Sequence, residues 1–304
     1  MSELEQKVKK SIERLKAFEP PEGYYLAFSG GKDSVVCKAL LDMSGCKYDA
    51  TYRVTSVDPP ELVRFIKNEH PDVVREVPRY DDGKPITMWN LIPKKKTPPT
   101  RLIRYCCQFL KEGGGDGRKM VTGVRWAEST NRKANQGVVT IYKKNRQIIN
   151  DLSNNPDFSL TNRGGVVLTN DNTESRRVIE SCYKRAKVSI NPIIDWDDLD
   201  VWEFIKSNGI KYCSLYDEGF ERLGCIGCPM AGTKGREREF LRWPKYKAAY
   251  LRAFDKMLQH RKQSGLSAWF KYHEATARDV FNWWMEYDVL PGQMNWFEDF
   301  EEEE

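Results

Sequence analysis

Residues 24–34 read Tyr-Tyr-Leu-Ala-Phe-Ser-Gly-Gly-Lys-Asp-Ser, and this stretch decides the fold. Its first five residues have the apolar and aromatic composition of a buried strand, and residues 33–43 are compatible with a helix. Two adjacent glycines let a ligand approach the backbone closely, and the free amide groups at the start of a helix attract an anion. Because Lys32 adds a positive charge, this strand, loop and helix are predicted to bind phosphate.

The loop does not match the common phosphate-binding motifs. A Walker loop requires glycine where this chain has Leu26, and serine or threonine where it has Asp33. The chain also lacks a Gly-x-Gly-x-x-Gly sequence. An ordinary glycine-rich turn between strand and helix is the alternative interpretation.

Composition limits the class of protein. Of the 304 residues, 40% are apolar and 31% are charged, which allows one large domain or two of ordinary size. No apolar run approaches the length of a membrane span, and residues 1–12 lack a hydrophobic signal region, so we expect a cytoplasmic protein without membrane association. The net charge is +5 although residues 298–304 form an acidic tail, and a basic body favours phosphorylated ligands or nucleic acid.

Strand and helix patterns alternate after the phosphate loop. Residues 47–57, 72–78 and 119–123 have strand composition, with a helical pattern between the first two. This alternation predicts an α/β fold with a mainly parallel, twisted sheet and helices on both faces. Ligands of such sheets bind beyond the carboxyl ends of the strands, where residues 29–34 are expected.

The sequence predicts two domains. Residues 1–230 are expected to form the nucleotide-binding domain, and residues 231–304 a helical C-terminal extension that ends in the acidic tail. Residues 133–187 are basic and rich in polar clusters, and we interpret them as a mobile insertion that covers the site or contacts nucleic acid. A solvated loop is the alternative, because no aromatic residues interleave with the basic ones.

Eight cysteines indicate metal ligation or sulfur chemistry rather than disulfides in an intracellular chain. The adjacent pair Cys106-Cys107 and the Cys225-x-x-Cys228 sequence supply four soft ligands, which suit zinc or an iron–sulfur cluster. Spacing alone leaves both open. Cys182 is a further candidate, as a ligand or as a sulfur-carrying thiol, whereas Cys37, Cys46 and Cys213 are expected to be buried free cysteines.

Residues 29–34 resemble the complete Ser-Gly-Gly-x-Asp-Ser loop of the PP-loop ATP pyrophosphatases and of the related phosphoadenosine phosphosulfate and adenylyl-sulfate reductases. Further stretches resemble the reductase branch: Cys-Cys-x-x-x-Lys at 106–111, Gly-x-Arg at 123–125, Leu-Tyr-x-x-Gly-Phe at 215–220 and Cys-x-x-Cys-Pro at 225–229. The resemblance spans residues 24–230 and implies a fold like that of the adenine nucleotide alpha hydrolases.

The resemblance also implies site residues and cofactors. It implies a [4Fe–4S] cluster held by Cys106, Cys107, Cys225 and Cys228, with zinc as the alternative. It implies ATP or adenylyl sulfate, with Mg²⁺ balancing the phosphate charge. Candidate catalytic residues are Lys32, Asp33 and Cys182. The residues expected at the nucleotide are Ser29, Gly30, Gly31, Lys32, Asp33, Ser34, Gly123, Arg125, Glu128, Ser129 and Arg132.

One departure from the family directs the functional hypothesis. The reductases attack sulfur with a cysteine in a C-terminal Glu-Cys-Gly segment, whereas this sequence has no cysteine after Cys228. We therefore expect an ATP-dependent iron–sulfur enzyme that adenylates an acceptor and transfers sulfur to it. The acceptor is a nucleic acid or a small molecule, and the partner is a sulfur-donor or electron-donor protein.

Two alternatives stay open at this point. One is a sulfonucleotide reductase that uses an atypical thiol such as Cys182. The other is a non-catalytic module that senses nucleotide or redox state.

Overall fold

The computed structural model describes residues 2–142, 145–182, 184–267 and 275–287. The chain divides into two units, each built from three separate segments. The first unit consists of Met1–Arg53, Pro60–Glu76 and Gly113–Leu223, and the second of Val54–Pro59, Val77–Glu112 and Gly224–Glu304. The domain boundary after residue 230 stays a prediction, and the acidic tail at 298–304 lies outside the described residues.

The elements follow in chain order. The strands are β1 (Tyr24–Ala27), β2 (Tyr48–Arg53), β3 (Val74–Glu76), β4 (Lys119–Val121), β5 (Val139–Ile141), β6 (Phe158–Leu160), β7 (Val166–Leu168) and β8 (Val188–Ile190). The helices are α1 (Glu3–Ala17), α2 (Lys32–Ser44), α3 (Pro60–Glu69), α4 (Met88–Lys95), α5 (Tyr105–Leu110), α6 (Thr130–Asn135), α7 (Arg146–Ser153), α8 (Thr173–Cys182), α9 (Asp198–Ser207), α10 (Gly232–Arg242), α11 (Pro244–Gln263) and α12 (Ala277–Trp284).

The eight strands found among the described residues belong to the first unit and form one sheet, in the order β3-β2-β1-β4-β8-β5-β7-β6. The neighbouring strands β3, β2, β1, β4 and β8 pair in parallel. β5 pairs antiparallel with β8 and with β7, and β7 pairs antiparallel with β6. β1 is buried in the parallel part, with Tyr24 and Leu26 fully covered. The predicted α/β class, with a mainly parallel sheet and a helical C-terminal part, is confirmed.

The described part of residues 133–187 forms regular helices and strands, whereas the interpretation of this segment as a mobile insertion stays a prediction. This segment contains β5, α7, β6, β7 and α8, and its three strands extend the sheet. Val139, Ile141 and Val166 are fully buried. Each strand has only three residues, which is too short for an alternating pattern to identify it in the sequence.

The amphipathic helix α1 anchors the segment between β8 and α9. Arg14 donates to both carboxylate oxygens of Asp195, at 2.7 and 2.9 Å, and to the carbonyl oxygen of Pro192. Ser11 also donates to Pro192 and accepts a hydrogen bond from the indole of the buried Trp196. Since α9 begins directly after this segment, these contacts determine where the start of α9 lies.

In the second unit, aromatic side chains of α10, α11 and α12 form a core. Phe240, Tyr250, Phe254, Phe281 and Trp284 contact one another with ring centroids 4.8–6.5 Å apart. Trp243, Tyr250, Phe254 and Met257 form the aromatic face of residues 243–257, and all four side chains are buried. Across the described parts of both units, no helix combines the length and the apolar character that crossing a membrane requires.

Replacing Arg14 by alanine is expected to destabilise the first unit by about 3 kcal/mol at neutral pH, because Asp195 loses its buried partner. Burial alone would raise the pKa of Asp195, but Arg14 and Lys10 lower it to about 2. The stabilisation is therefore complete above the ordinary aspartate pKa of about 3.9 and disappears as the pH falls through about 2. Urea unfolding at several pH values measures it. Lys9→Ala, which removes an exposed pair with Glu13, is the control and should change little.

Candidate functional site

The loop between β1 and α2 has the geometry that its sequence predicts. Gly31 is the N-cap of α2, so the amides of the first turn point into the loop. Gly30 has a φ of +72°, and a Cβ there would approach Ile66 and Leu62 to 2.8 Å, so only glycine fits. Ser34 donates to the carbonyl oxygen of Gly31 at 2.8 Å, and its hydroxyl lies 3.2 Å from that of Ser29. The loop is therefore held in shape by its own side chains.

A network of two cations and two carboxylates lies beside this loop. The Arg125 guanidinium, which is 1% exposed, donates to Asp33 at 2.7 Å and to Asp198 at 2.9 Å. The Lys32 ammonium lies 3.1 Å from the same Asp198 oxygen. Burial alone would raise the pKa of Asp198, but Lys32 and Arg125 lower it overall. The four charges balance, and Arg125 is fully paired rather than directed at solvent.

Two further contacts hold Lys32. Its backbone N–H donates to the Tyr216 hydroxyl at 2.8 Å, and its ammonium donates to the carbonyl oxygen of Glu221 at 3.1 Å. Burial raises the pKa of Tyr216, so its phenol stays neutral. A ring contact with Trp202, with centroids 5.0 Å apart, fixes the orientation of Tyr216. The neutral hydroxyl oxygen of Tyr216 thus accepts the hydrogen bond that the Lys32 amide would otherwise donate to an anion.

The remaining residues predicted at the nucleotide lie around the same network. A Cβ on Gly123 would come within 2.8 Å of the Asp33 Cβ, so glycine is required for β4 to end against α2. Glu128 accepts from the Arg125 amide at 3.1 Å and pairs with Arg132 at 2.7 Å. Ser129 is the N-cap of α6 and accepts from the Arg132 amide. Their roles toward a nucleotide stay predictions.

Sequence reasoning missed Asp198, Tyr216 and Glu221. The sequence around Asp198 is typical of the start of a helix, and Asp198 is the first residue of α9. The segment at 215–220 resembles the family, but nothing in its sequence assigns a role to Tyr216. Glu221 contributes a backbone carbonyl, which leaves no signal in the sequence.

The second candidate site lies in the second unit and contains the four predicted metal ligands. On α5 the side chains of Cys106 and Cys107 hydrogen-bond to each other, and Arg104 donates to the Cys107 sulfur at 3.2 Å. The hydrogen bond from Cys106, together with Arg104, lowers the pKa of Cys107, which favours its thiolate form. Lys111 hydrogen-bonds to Cys225, and the charge on Cys225 raises the pKa of Lys111.

The Cys225–Cys228 loop is fixed by backbone contacts. The Ile226 amide donates to the carbonyl oxygen of Val57 at 2.7 Å, and the Cys228 amide donates to that of Cys225 at 3.2 Å. Burial raises the pKa of Cys225 to about 11, although Lys111 opposes the shift. Charges on Cys225 and Cys228 contribute to the raised pKa of Cys106, which shows that the four sulfurs share one neighbourhood.

The donor set of this neighbourhood fits a metal–thiolate centre. Four soft sulfurs lie with two cations, Arg104 and Lys111, which would offset the negative charge of such a centre. Nevertheless, among the residues that the structure describes, no three or more His, Cys, Asp or Glu side chains are arranged to hold a metal ion. The cluster itself stays a prediction.

The other cysteines lie elsewhere in the chain. Cys182 ends α8 in the first unit, is buried, and has its sulfur 3.7 Å from the Ser181 hydroxyl. Its role as catalytic thiol stays a prediction. Cys37, Cys46 and Cys213 are buried free cysteines, as the sequence predicts.

Replacing Arg125 by alanine is expected to destabilise the first unit by about 3 kcal/mol, because Asp33 and Asp198 lose their buried partner. Arg132→Ala is the matched control. It removes a more exposed pair with Glu128 and should cost at most about 1 kcal/mol. Urea unfolding measures both, and equal effects would contradict the structural role assigned to Arg125.

Residues 23–231 match the family model of the phosphoadenosine phosphosulfate reductase domain. An uncharacterized protein of Methanocaldococcus jannaschii is 25% identical over 240 residues, which are 73% of this chain and 40% of the relative. An adenosine 5'-phosphosulfate reductase of Neisseria meningitidis is 40% identical over 53 residues, or 17% of this chain and 22% of the relative. The chain thus spans well under two thirds of the length of these curated relatives.

Two solved structures are similar at low identity. A phosphoadenylyl-sulfate reductase from Candida auris has a TM-score of 0.41 and 15% identity, and covers 74% of this chain and 96% of its own. A Candida glabrata FMN adenylyltransferase has a TM-score of 0.43 and 12% identity, and covers 73% of this chain and 64% of its own. The family match confirms the resemblance seen in the sequence, although it does not distinguish the iron–sulfur branch. Since the matched residues make up more than half of the chain, the protein belongs to the phosphoadenosine phosphosulfate reductase domain family.

Proposed function

We propose that this protein is an enzyme that binds ATP, adenylates an acceptor and replaces the activated oxygen by sulfur. The observation that carries the proposal is the hydrogen bonding of Lys32 in the loop at the start of α2. The Lys32 amide donates to the Tyr216 hydroxyl, and the Lys32 ammonium donates to the Glu221 carbonyl oxygen and pairs with Asp198. Phosphate oxygens can replace these protein oxygens as acceptors. Phosphate is a stronger acceptor for these donors than a phenol or a carbonyl group.

The proposed reaction balances in two steps. An oxygen of the acceptor attacks the α-phosphorus of ATP, the bond from that phosphorus to the bridging oxygen breaks, and pyrophosphate leaves. A hydrosulfide from a sulfur donor then forms a carbon–sulfur bond, and AMP leaves with the acceptor oxygen. Lys32 and the α2 amides stabilise the negative charge that develops on the phosphates.

The proposal includes two cofactors. Mg²⁺ bound to ATP neutralises phosphate charge. Cys106, Cys107, Cys225 and Cys228 would hold a [4Fe–4S] cluster, which supplies a place for sulfide or for electrons when bound. The acceptor is proposed to be a nucleic acid or a small molecule.

A reductase is the second candidate, because the Neisseria relative is an adenosine 5'-phosphosulfate reductase. In that reaction a thiolate attacks the sulfur of adenylyl sulfate, AMP leaves, and a second thiol releases sulfite and forms a disulfide. Cys182, the thiol predicted for this role, precedes β8 and therefore lies at the amino ends of the parallel strands, at the opposite edge of the sheet from the loop of α2. The candidates differ in product, since transfer yields pyrophosphate from ATP, whereas reduction yields sulfite from adenylyl sulfate.

Tyr216→Phe is expected to bind Mg-ATP about fivefold more tightly, because the phenol oxygen no longer competes for the Lys32 amide. Lys32→Ala should bind at least about tenfold more weakly, since it loses a charge-assisted contact to phosphate. Isothermal titration calorimetry with a non-hydrolysable ATP analogue measures both.

Tyr212→Phe is the matched control for the tyrosine variant. Tyr212 also contacts Trp202, but its hydroxyl bonds to Asp217 and not to the loop. Its affinity should equal that of the wild type. Weaker binding by Tyr216→Phe would instead make Tyr216 a donor to phosphate and would reject the competition.

Anaerobically purified protein is expected to contain iron and acid-labile sulfide and to absorb in the visible range. Cys225→Ser should lose this absorption, whereas Cys46→Ser, which changes a cysteine of the first unit, should keep it. A colourless protein with stoichiometric zinc would reject the cluster.

Turnover distinguishes the three functions. With sulfide as donor and total tRNA or duplex DNA as acceptor, transfer predicts acceptor-dependent formation of AMP and pyrophosphate. Sulfite release from adenylyl sulfate with dithiothreitol, lost in Cys182→Ser, would establish the reductase. Nucleotide binding without turnover on any substrate would support a sensor.

A further inference from the structure

The helices α10, α11 and α12 begin after residue 231, where the match to the family model ends. They belong to the second unit, as do the four cysteines of the second candidate site. The family match therefore gives no role to these helices. Their contacts with the Cys225–Cys228 loop provide one.

Gly227, inside this loop, is enclosed by one aromatic ring from each of the three helices. It has a φ of +75°, and a Cβ at this position would lie 2.8 Å from Phe240, 2.9 Å from Tyr250 and 3.1 Å from Trp284. The rings leave no room for a side chain. The backbone between Cys225 and Cys228 therefore packs directly against the helical extension.

Two polar side chains of the extension bind the same backbone. The Glu239 carboxylate of α10 accepts a hydrogen bond from the Gly227 amide at 2.6 Å. The Tyr250 hydroxyl of α11 donates to the carbonyl oxygen of Ile226 at 2.9 Å, and Tyr250 is 1% exposed. Burial raises the pKa of Glu239 to about 7. Burying a carboxyl group costs free energy, and an apolar residue at this position would pack without that cost.

We propose that the helical extension is part of the cysteine site and that Glu239 and Tyr250 are positioning residues, which hold the Cys225–Cys228 loop in the conformation that presents both thiols. The two side chains bind the same peptide group, between Ile226 and Gly227: Tyr250 donates to its C=O, and Glu239 accepts from its N–H. The part of the proposal that concerns a bound metal rests on the proposed function, whereas the part that concerns the loop does not.

Thiol alkylation of the metal-free protein tests the loop directly. Protein treated with a chelator and dithiothreitol is reacted with iodoacetamide, and mass spectrometry follows each cysteine peptide. Glu239→Ala and Tyr250→Phe should each raise the alkylation rate of Cys225 and Cys228 about tenfold, because the loop opens more often when a buried peptide hydrogen bond is lost. The rate of Cys37, which is buried in the first unit, should stay unchanged.

Glu239→Gln is the conservative variant, because its amide oxygen can still accept from Gly227. It should return the alkylation rates to within about twofold of the wild type. Asp255→Ala and Asp255→Asn, which change an exposed carboxylate on α11, control for charge and for helix stability and should have no effect. Circular dichroism melting separates a local opening from global unfolding.

The same variants are then reconstituted anaerobically with ferrous iron and sulfide. Glu239→Ala and Tyr250→Phe should hold less iron per chain than the wild type, and Glu239→Gln should hold as much. Unchanged alkylation of Cys225 and Cys228 in both loss variants would overturn the positioning role. Absence of iron from every variant and from the wild type, with altered alkylation, would instead reject the cluster and keep the positioning role.

Discussion

The pairing of one buried guanidinium organises the first candidate site. Arg125 is almost completely removed from water, and a buried charge is tolerated only when it is paired and hydrogen-bonded. Its partners are Asp33 at the start of α2 and Asp198 at the start of α9, so the ends of β4, β1 and β8 must meet at one place. The topology makes this meeting available, since β1, β4 and β8 are neighbouring parallel strands.

This pairing also determines where the side chain of Lys32 lies. Lys32 shares Asp198 with Arg125, so its ammonium is held close to the loop instead of extending into water. A site whose donors are already oriented spends less conformational entropy on binding. In the proposed function, a phosphate group replaces the contacts of Lys32 with Tyr216 and with the Glu221 carbonyl.

The described part of the second unit contains Cys106 and Cys107 on α5, and Cys225 and Cys228 in one loop. Arg104 and Lys111 supply positive charge next to Cys107 and Cys225. The helical extension supplies the wall against which the Cys225–Cys228 loop lies. The aromatic face of residues 243–257 is therefore both a packing core and, through Tyr250, part of this wall.

The sequence by itself determined the local features of this protein: the strand, glycine loop and helix at 24–44, the alternation that predicts an α/β sheet, and the cysteine spacing. These are encoded by neighbouring residues, whose periodicity and backbone requirements act over one or two turns of chain. The tertiary structure decided which distant residues meet. Asp33, Arg125 and Asp198 are far apart in sequence, and nothing in the local pattern of Arg125 distinguishes a surface charge from a buried one. The strands of residues 139–168 are likewise too short to identify alone, because their burial depends on the sheet edge that β8 offers.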